Sequence, residues 1–147
     1  VDVKEDRSVA PLAEAIRRLD AADRVCVASF SGARLAAFRK AAPGVLTSMA
    51  PRGVAWATHA FGLRRLSVDA GLAVQIPVRY PGAPLPLLRR DVIRHLHATG
   101  RVVHVWTVNE EPEMHRLIDL GVDGLVSDDI GTLKRVLQGR GLWEGRG

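Results

Sequence analysis

A parallel α/β architecture of repeated strand–helix units is what the sequence predicts, on three observations. Six short β-branched runs recur along the chain, and amphipathic helical stretches fill the gaps between them. Each run is nearly continuous in apolar residues instead of alternating, as strands covered on both faces require. The composition agrees: 147 residues, 47% hydrophobic and 5% aromatic, suit one ordinary globular domain. No linker or low-complexity block interrupts the chain, so residues 1–138 are expected to form one unit. The final segment GRGLWEGRG, residues 139–147, lacks periodicity and is expected to be a mobile tail.

The expected strands are Val1–Lys4, Val25–Phe30, Val45–Met49, Leu72–Pro77, Val102–Val108 and Asp123–Ser127. The first helix is expected from about Ser8 as N-cap, with Leu12, Ile16 and Leu19 on one face at i, i+4 and i+7. Ser31 and Asp129 stand where caps of later helices belong. Gly44, Gly100 and Gly121 mark the turns that lead into strands. Periodicity alone leaves two architectures open. A doubly wound open sheet calls for a glycine-rich loop after its first strand, and VDVKEDRS contains no glycine. The other is a piece of an eight-stranded α/β barrel, since 147 residues fall short of the about 250 typical of a complete one.

Composition also narrows the function. The formal charge is +5, and eighteen of the 21 basic residues are arginine. Arg17/Arg18, Arg64/Arg65 and Arg89/Arg90 come as pairs at helical positions beside apolar residues, the pattern of solvated helix surfaces. No basic block, interleaved aromatic platform or zinc-finger spacing is present, so nucleic acid is not the expected partner. The charge instead helps to draw an anionic substrate. No apolar run approaches the ~18 residues of a membrane span. The single cysteine, Cys26, forms no internal disulfide, and a cytoplasmic location is expected.

In a barrel, function sits at the C-terminal ends of the strands. Alternation puts Asp2 and Lys4 on one face of the first strand, and His104 and Trp106 on one face of the fifth. A carboxylate and an ammonium sharing a cavity offer oxygen to a hard cation and positive charge to a phosphate; alternatively they form a structural ion pair. Ser29–Phe30, Gln75 with Pro77, and Trp106–Asn109 occupy corresponding ends of later strands.

Taken together, these residues resemble the glycerophosphodiester phosphodiesterase family. The resemblance rests on Asp2-Val3-Lys4 as an acidic-x-Lys strand, Ser29-Phe30 as a Ser-Phe strand end, VHVWTVN at 103–109, and GVDGLVSDD at 121–129, all in the family's order. It implies a partial TIM (β/α)8 barrel whose six parallel βα units correspond to strands three to eight. It further implies hydrolysis of glycerophosphodiesters with a divalent cation, Mg²⁺ or Ca²⁺. By resemblance Asp2 takes the place of a metal-binding carboxylate, usually the longer Glu, and Lys4 that of a lysine beside the substrate phosphate. Phe30 and Trp106 resemble the aromatic wall next to the glycerol moiety, and Gln75 projects into the same cavity. His104 is expected inside the barrel, away from the chemistry. His59, His95, His97 and His115 are expected on helices as surface or packing residues, and Asp128 as a helix cap or phosphate-end residue.

The family's His-Arg pair on its first strand, its Glu-x-Asp on the second and the histidine that follows have no strand-borne counterpart here. These groups supply the acid, the base and most metal carboxylates, so the 147 residues alone are expected to be inactive. A parallel sheet cut before its third strand also leaves open edges at Val1–Lys4 and Asp123–Ser127. A preceding segment or a second copy is expected to cover them.

Overall fold

A computed structural model describes residues 1–59, 70–79 and 88–143. Helices α1 (Val9–Arg18), α2 (Gly32–Ala41), α3 (Pro51–His59), α4 (Arg90–Ala98), α5 (Glu111–Leu120) and α6 (Ile130–Gly139) alternate with short strands β1 (Cys26–Val27), β2 (Leu46–Thr47), β3 (Ala73–Pro77), β4 (Val102–Trp106) and β5 (Gly124–Leu125). All pairings are parallel. β1 pairs with β2, and β3, β4 and β5 form a second sheet in that order. A single bridge, Ser48↔Ala73, joins the two sheets, and another, Asp2↔Ala28, attaches the N-terminal segment to β1.

The α/β class and the positions of the apolar runs are as expected, but the strands are shorter. Val1–Lys4 contributes one bridge instead of a strand, held by Val3 N donating to Ala28 O and Ala28 N to Val1 O, each at 2.8 Å. Among the described residues, hydrogen bonding therefore defines five strands and a bridged segment. The flanking apolar residues were enough to extend each run in sequence while the ladder ends sooner. Val108 lies past the end of β4 yet is buried, with its N–H on Val126 O at 2.9 Å.

Two apolar clusters hold the layers together. One gathers Val74, Ile76, Val103 and Val105, the helix-facing residues of β3 and β4, with Ile93, Leu96, Met114 and Leu117 from α4 and α5. The other gathers Val3, Val9, Ala13, Ile16, Val27 and Phe38. In α1, Ile16 is buried as expected, whereas Leu19 is 61% exposed because the helix ends at Arg18. Ser8 does not cap α1. A 3-10 turn over Asp6–Ser8 runs straight into the helix, so Ser8 already has helical backbone angles and makes no side-chain capping bond.

The later caps are where the sequence places them. Ser31 Oγ accepts from Arg34 N at 3.2 Å at the start of α2. Ser31→Ala is expected to cost about 1 kcal/mol, read as a lower midpoint in urea unfolding. Asp129 caps α6, accepting from Thr132 N at 3.0 Å and Thr132 Oγ1 at 2.7 Å. Those bonds hold its carboxyl below the ordinary value of 3.8. Its contribution is thus complete above that value and is lost as pH falls through the lower folded-state value. Melting temperatures measured down an acid series should show this loss, and Asp129→Asn should remove that part of the pH dependence while keeping a capping oxygen.

Gly44, Gly100 and Gly121 take positive φ in the turns assigned to them. α6 closes at Gly139, Trp143 lies beneath Lys134 Nζ at 5.5 Å, and residues 144–147 of the expected tail lie outside the described residues. The Arg64/Arg65 pair also lies outside them, as does the side chain of His59. No helix among the described residues is long and apolar enough to cross a membrane.

Candidate active site

Register determines which side chains share the face opposite the helices. Asp2 pairs with Ala28, Ser48 with Ala73, Gln75 and Pro77 with His104 and Trp106, and His104 with Gly124. At the C-terminal ends of these segments the face forms a cleft of about 340 Å³. Asp2, Lys4, Phe30, Gln75 and Trp106 all line it, so five residues from four segments, 104 positions apart at the extremes, meet in one space. Ser29, Ser48, Pro77, Thr107 and Val126 complete much of the wall.

One side of the cleft is charged. Lys4 Nζ lies 2.5 Å from Asp2 Oδ2, and the lysine side chain is 73% exposed. Its ammonium also stands 5.8 Å from the Phe30 ring centre, within reach of a cation–π attraction. The other side is aromatic. Phe30 and Trp106 meet edge to face, with centroids 6.1 Å apart and planes at 81°. Phe30 is 65% exposed, so its ring is presented to the cleft instead of being consumed by the core. An ammonium beside an apolar wall can hold an anionic group at one end and a short carbon chain at the other.

Ser29 lines the cleft, but its hydroxyl is committed to the fold. It is buried, and its Oγ donates to Val3 O at 2.8 Å, fastening the end of the Asp2–Lys4 segment to the end of β1. The GVDG segment is structural in the same way. Asp123 Oδ2 accepts from Val103 N at 2.7 Å and contacts His97 Nε2 at 2.8 Å. A Cβ on Gly124 would come within 2.7 Å of His104 Cδ2, so the glycine leaves room for the imidazole lying across β5. His104 is half-buried and does not line the cleft.

One expectation is corrected in detail. Asp128 is not the cap of α6, a role taken by Asp129; Asp128 instead receives Asn109 Nδ2 at 3.4 Å. His97 is on α4 as expected and its ring contacts Asp123, while His115 lies 3.8 Å from Glu111 one helical turn away. Asn109 was missed as a clamp: its Oδ1 accepts from Ser127 Oγ at 3.1 Å and Asp128 N at 3.0 Å, joining the loops after β4 and β5. The only sequence signal for it was its place at the end of the WTVN run.

The described residues do not by themselves hold a divalent cation. Asp2 is the only carboxylate lining the cleft, no group of three His, Cys, Asp or Glu able to bind a metal occurs among the described residues, and Mg²⁺ or Ca²⁺ takes about six oxygens.

A parallel α/β chain with a charged and aromatic cleft at the C-terminal ends of its strands belongs to the class of α/β proteins that carry their functional site there. Residues 2–132 match the Glycerophosphoryl diester phosphodiesterase family, and the chain belongs to that family. It is 37% identical over 158 aligned positions to the Mycobacterium tuberculosis protein named "Probable glycerophosphodiester phosphodiesterase 2", covering 99% of this chain and 56% of that protein. It is 30% identical to a glycerophosphodiester phosphodiesterase of Bacillus altitudinis over 78% of this chain and 43% of that one. The crystal structure of a glycerophosphodiester phosphodiesterase from Parabacteroides distasonis shares the fold, with a TM-score of 0.65 at 18% identity over 95% of this chain and 56% of that one. The chain therefore spans about half the length of the curated relatives it matches.

Proposed function

We propose that this chain supplies the phosphate-facing and aromatic part of an enzyme that hydrolyses glycerophosphodiesters to an alcohol and glycerol 3-phosphate. The observation that carries this is the placement of Lys4 and Asp2 in one cleft with Phe30 and Trp106. In the reaction the bond from phosphorus to the leaving alcohol breaks, an oxygen of water bonds to phosphorus as it gives up a proton, and the leaving oxygen gains one; where a neighbouring hydroxyl attacks first, water opens the resulting cyclic phosphate in a second step. Lys4 offsets charge developing on the phosphoryl oxygens. Phe30 and Trp106 pack the glycerol carbons, and Gln75 offers its amide to a hydroxyl.

A divalent cation, Mg²⁺ or Ca²⁺, would lend further charge stabilisation when bound, with Asp2 as one of its carboxylates and the others drawn from outside the described residues. The acid and base are likewise assigned to histidines outside these 147 residues. In the test, the protein expressed from its gene releases glycerol 3-phosphate from a glycerophosphodiester, and chelation abolishes this. The purified 147-residue chain releases none above buffer. Robust, cation-dependent hydrolysis by that chain would overturn the division of labour.

Among the described residues the Val1–Lys4 segment pairs only with β1, and β5 only with β4. Both outer edges are proposed to be covered by a preceding segment or a second copy. An alternative is a non-catalytic binding or assembly domain derived from the same barrel. Leu46, Val102 and Val126, each more than 40% exposed, favour it by offering apolar surface to a partner. A gene encoding only these residues, with a product that hydrolyses nothing, would select the alternative.

A further inference from the structure

Helix α2 turns two arginines, not only apolar residues, toward the strands. Leu35 and Phe38 are fully buried, and Arg34 and Arg39 flank them on the same side of the helix. The Arg34 side chain is only 18% exposed. Its Nε donates to Asp6 Oδ1 at 2.8 Å, and its Nη1 donates to Val3 O at 3.0 Å and to Ser29 Oγ at 3.1 Å. Since Ser29 Oγ donates to the same carbonyl, Val3 O is the point where α2, the end of β1 and the N-terminal segment converge.

Val3 lies between Asp2 and Lys4, and its own side chain is buried in the core. The segment's backbone is otherwise attached to β1 by one bridge, on the side of Val1 and Val3 N, and by the Val1 terminal ammonium, which donates to Cys26 O at 2.8 Å. The direction in which Lys4 leaves the sheet thus depends on what holds the Val3 carbonyl. A planar guanidinium with fixed donors can hold a carbonyl, a hydroxyl and a carboxylate at once, which a lysine ammonium on a flexible stem does poorly. Asp6 pairs with the guanidinium and offsets its charge.

We propose that Arg34 is a positioning residue that sets the Asp2–Lys4 pair in the cleft through the Val3 carbonyl. Its consequence for catalysis rests on the reading of the cleft as a phosphodiester site, whereas its effect on Lys4 placement does not. The experiment therefore has two arms, both on the protein expressed from its gene.

In the first arm, ¹³C-labelled lysine reports the Lys4 ε-methylene, which carries a ring-current shift from Phe30 and is assigned by its loss in Lys4→Arg. Arg34→Met should move this signal most of the way to the free-lysine position. Ser29→Ala, the second variant should Arg34→Met not fold, should move it the same way by less. Leu35→Val, on the same buried helix face, should leave it in place. An unmoved signal in Arg34→Met, or in Ser29→Ala where that variant stands in, overturns the proposal, as does an equal shift in Leu35→Val.

In the second arm, Arg34→Met should lower kcat/KM for a glycerophosphodiester roughly 10- to 100-fold, as small misplacements of catalytic groups do. In a Lys4→Ala background the further loss should be clearly smaller, since only Asp2 is then left to misplace. Equal losses in both backgrounds overturn the positioning role. If Lys4→Ala itself hydrolyses at the unmodified rate, the functional reading of the cleft fails, and the lysine signal alone decides where Arg34 acts.

Discussion

Replacing Lys4 by alanine in the protein expressed from its gene is expected to cut kcat/KM for glycerophosphodiesters by roughly 10²- to 10³-fold, the usual effect of removing one preorganised group from developing transition-state charge. Folding should hardly notice. Lys4 is 73% exposed, its partner Asp2 is partly solvated, and exposed pairs of this kind contribute about 0–1 kcal/mol. The two readouts therefore separate chemistry from structure. Lys4→Arg should recover only part of the rate, because the guanidinium is broader and its charge is delocalised. Steady-state kinetics beside urea denaturation check this, and unchanged kinetics for Lys4→Ala would take the residue out of the site.

The second large effect is expected at Gly71. A Cβ there would lie 2.5 Å from the backbone N of Met49 and from the carbonyl C and O of Ser48. Backbone atoms cannot rotate away as a side chain can. Room must come from moving the chain at the seam between the two sheets, where Met49 N bonds to Ala73 O at 2.8 Å and Leu72 N to Thr47 O at 3.0 Å. Gly71→Ala should destabilise by about 1–3 kcal/mol, the range for overpacked interiors. It should also disturb the cleft, because Ser48 and Met49 line one side of the seam and Gln75 the other. Gly139→Ala is the control: it has open space around it at the end of α6 and should stay within about 1 kcal/mol of the parent. A urea midpoint for Gly71→Ala equal to that of Gly139→Ala would refute the seam argument.

The parts of this architecture that follow local rules were legible in the sequence. Strand alternation is one such rule, and it put Asp2 with Lys4; that Phe30, Gln75 and Trp106 look into the same space followed from the family resemblance, and the structure brings all five together. Helix caps at Ser31 and Asp129 are another. What stayed hidden depends on tertiary placement. Arg34 and Arg39 belong to a class of residue that composition assigns to solvent, yet Arg39 Nε donates to the buried Thr47 Oγ1 at 2.8 Å, much as Arg34 does to Ser29. Their side of α2 carries charge where an amphipathic helix carries apolar residues, which weakens the very periodicity by which helices are recognised. The 3-10 turn before α1 hid the loss of the Ser8 cap. At Gly71 the space is filled by the backbone of Ser48 and Met49, more than twenty residues earlier, which no short window of sequence displays.

Every pairing in the structure joins a segment to the one that precedes it in the chain, and paired residues are 20 to 29 positions apart. Each addition thus closes a loop of similar length at a similar entropic cost. A chain leaving the ribosome from its N-terminal end can add each strand to an edge that already exists, so the order of synthesis is also an order of assembly.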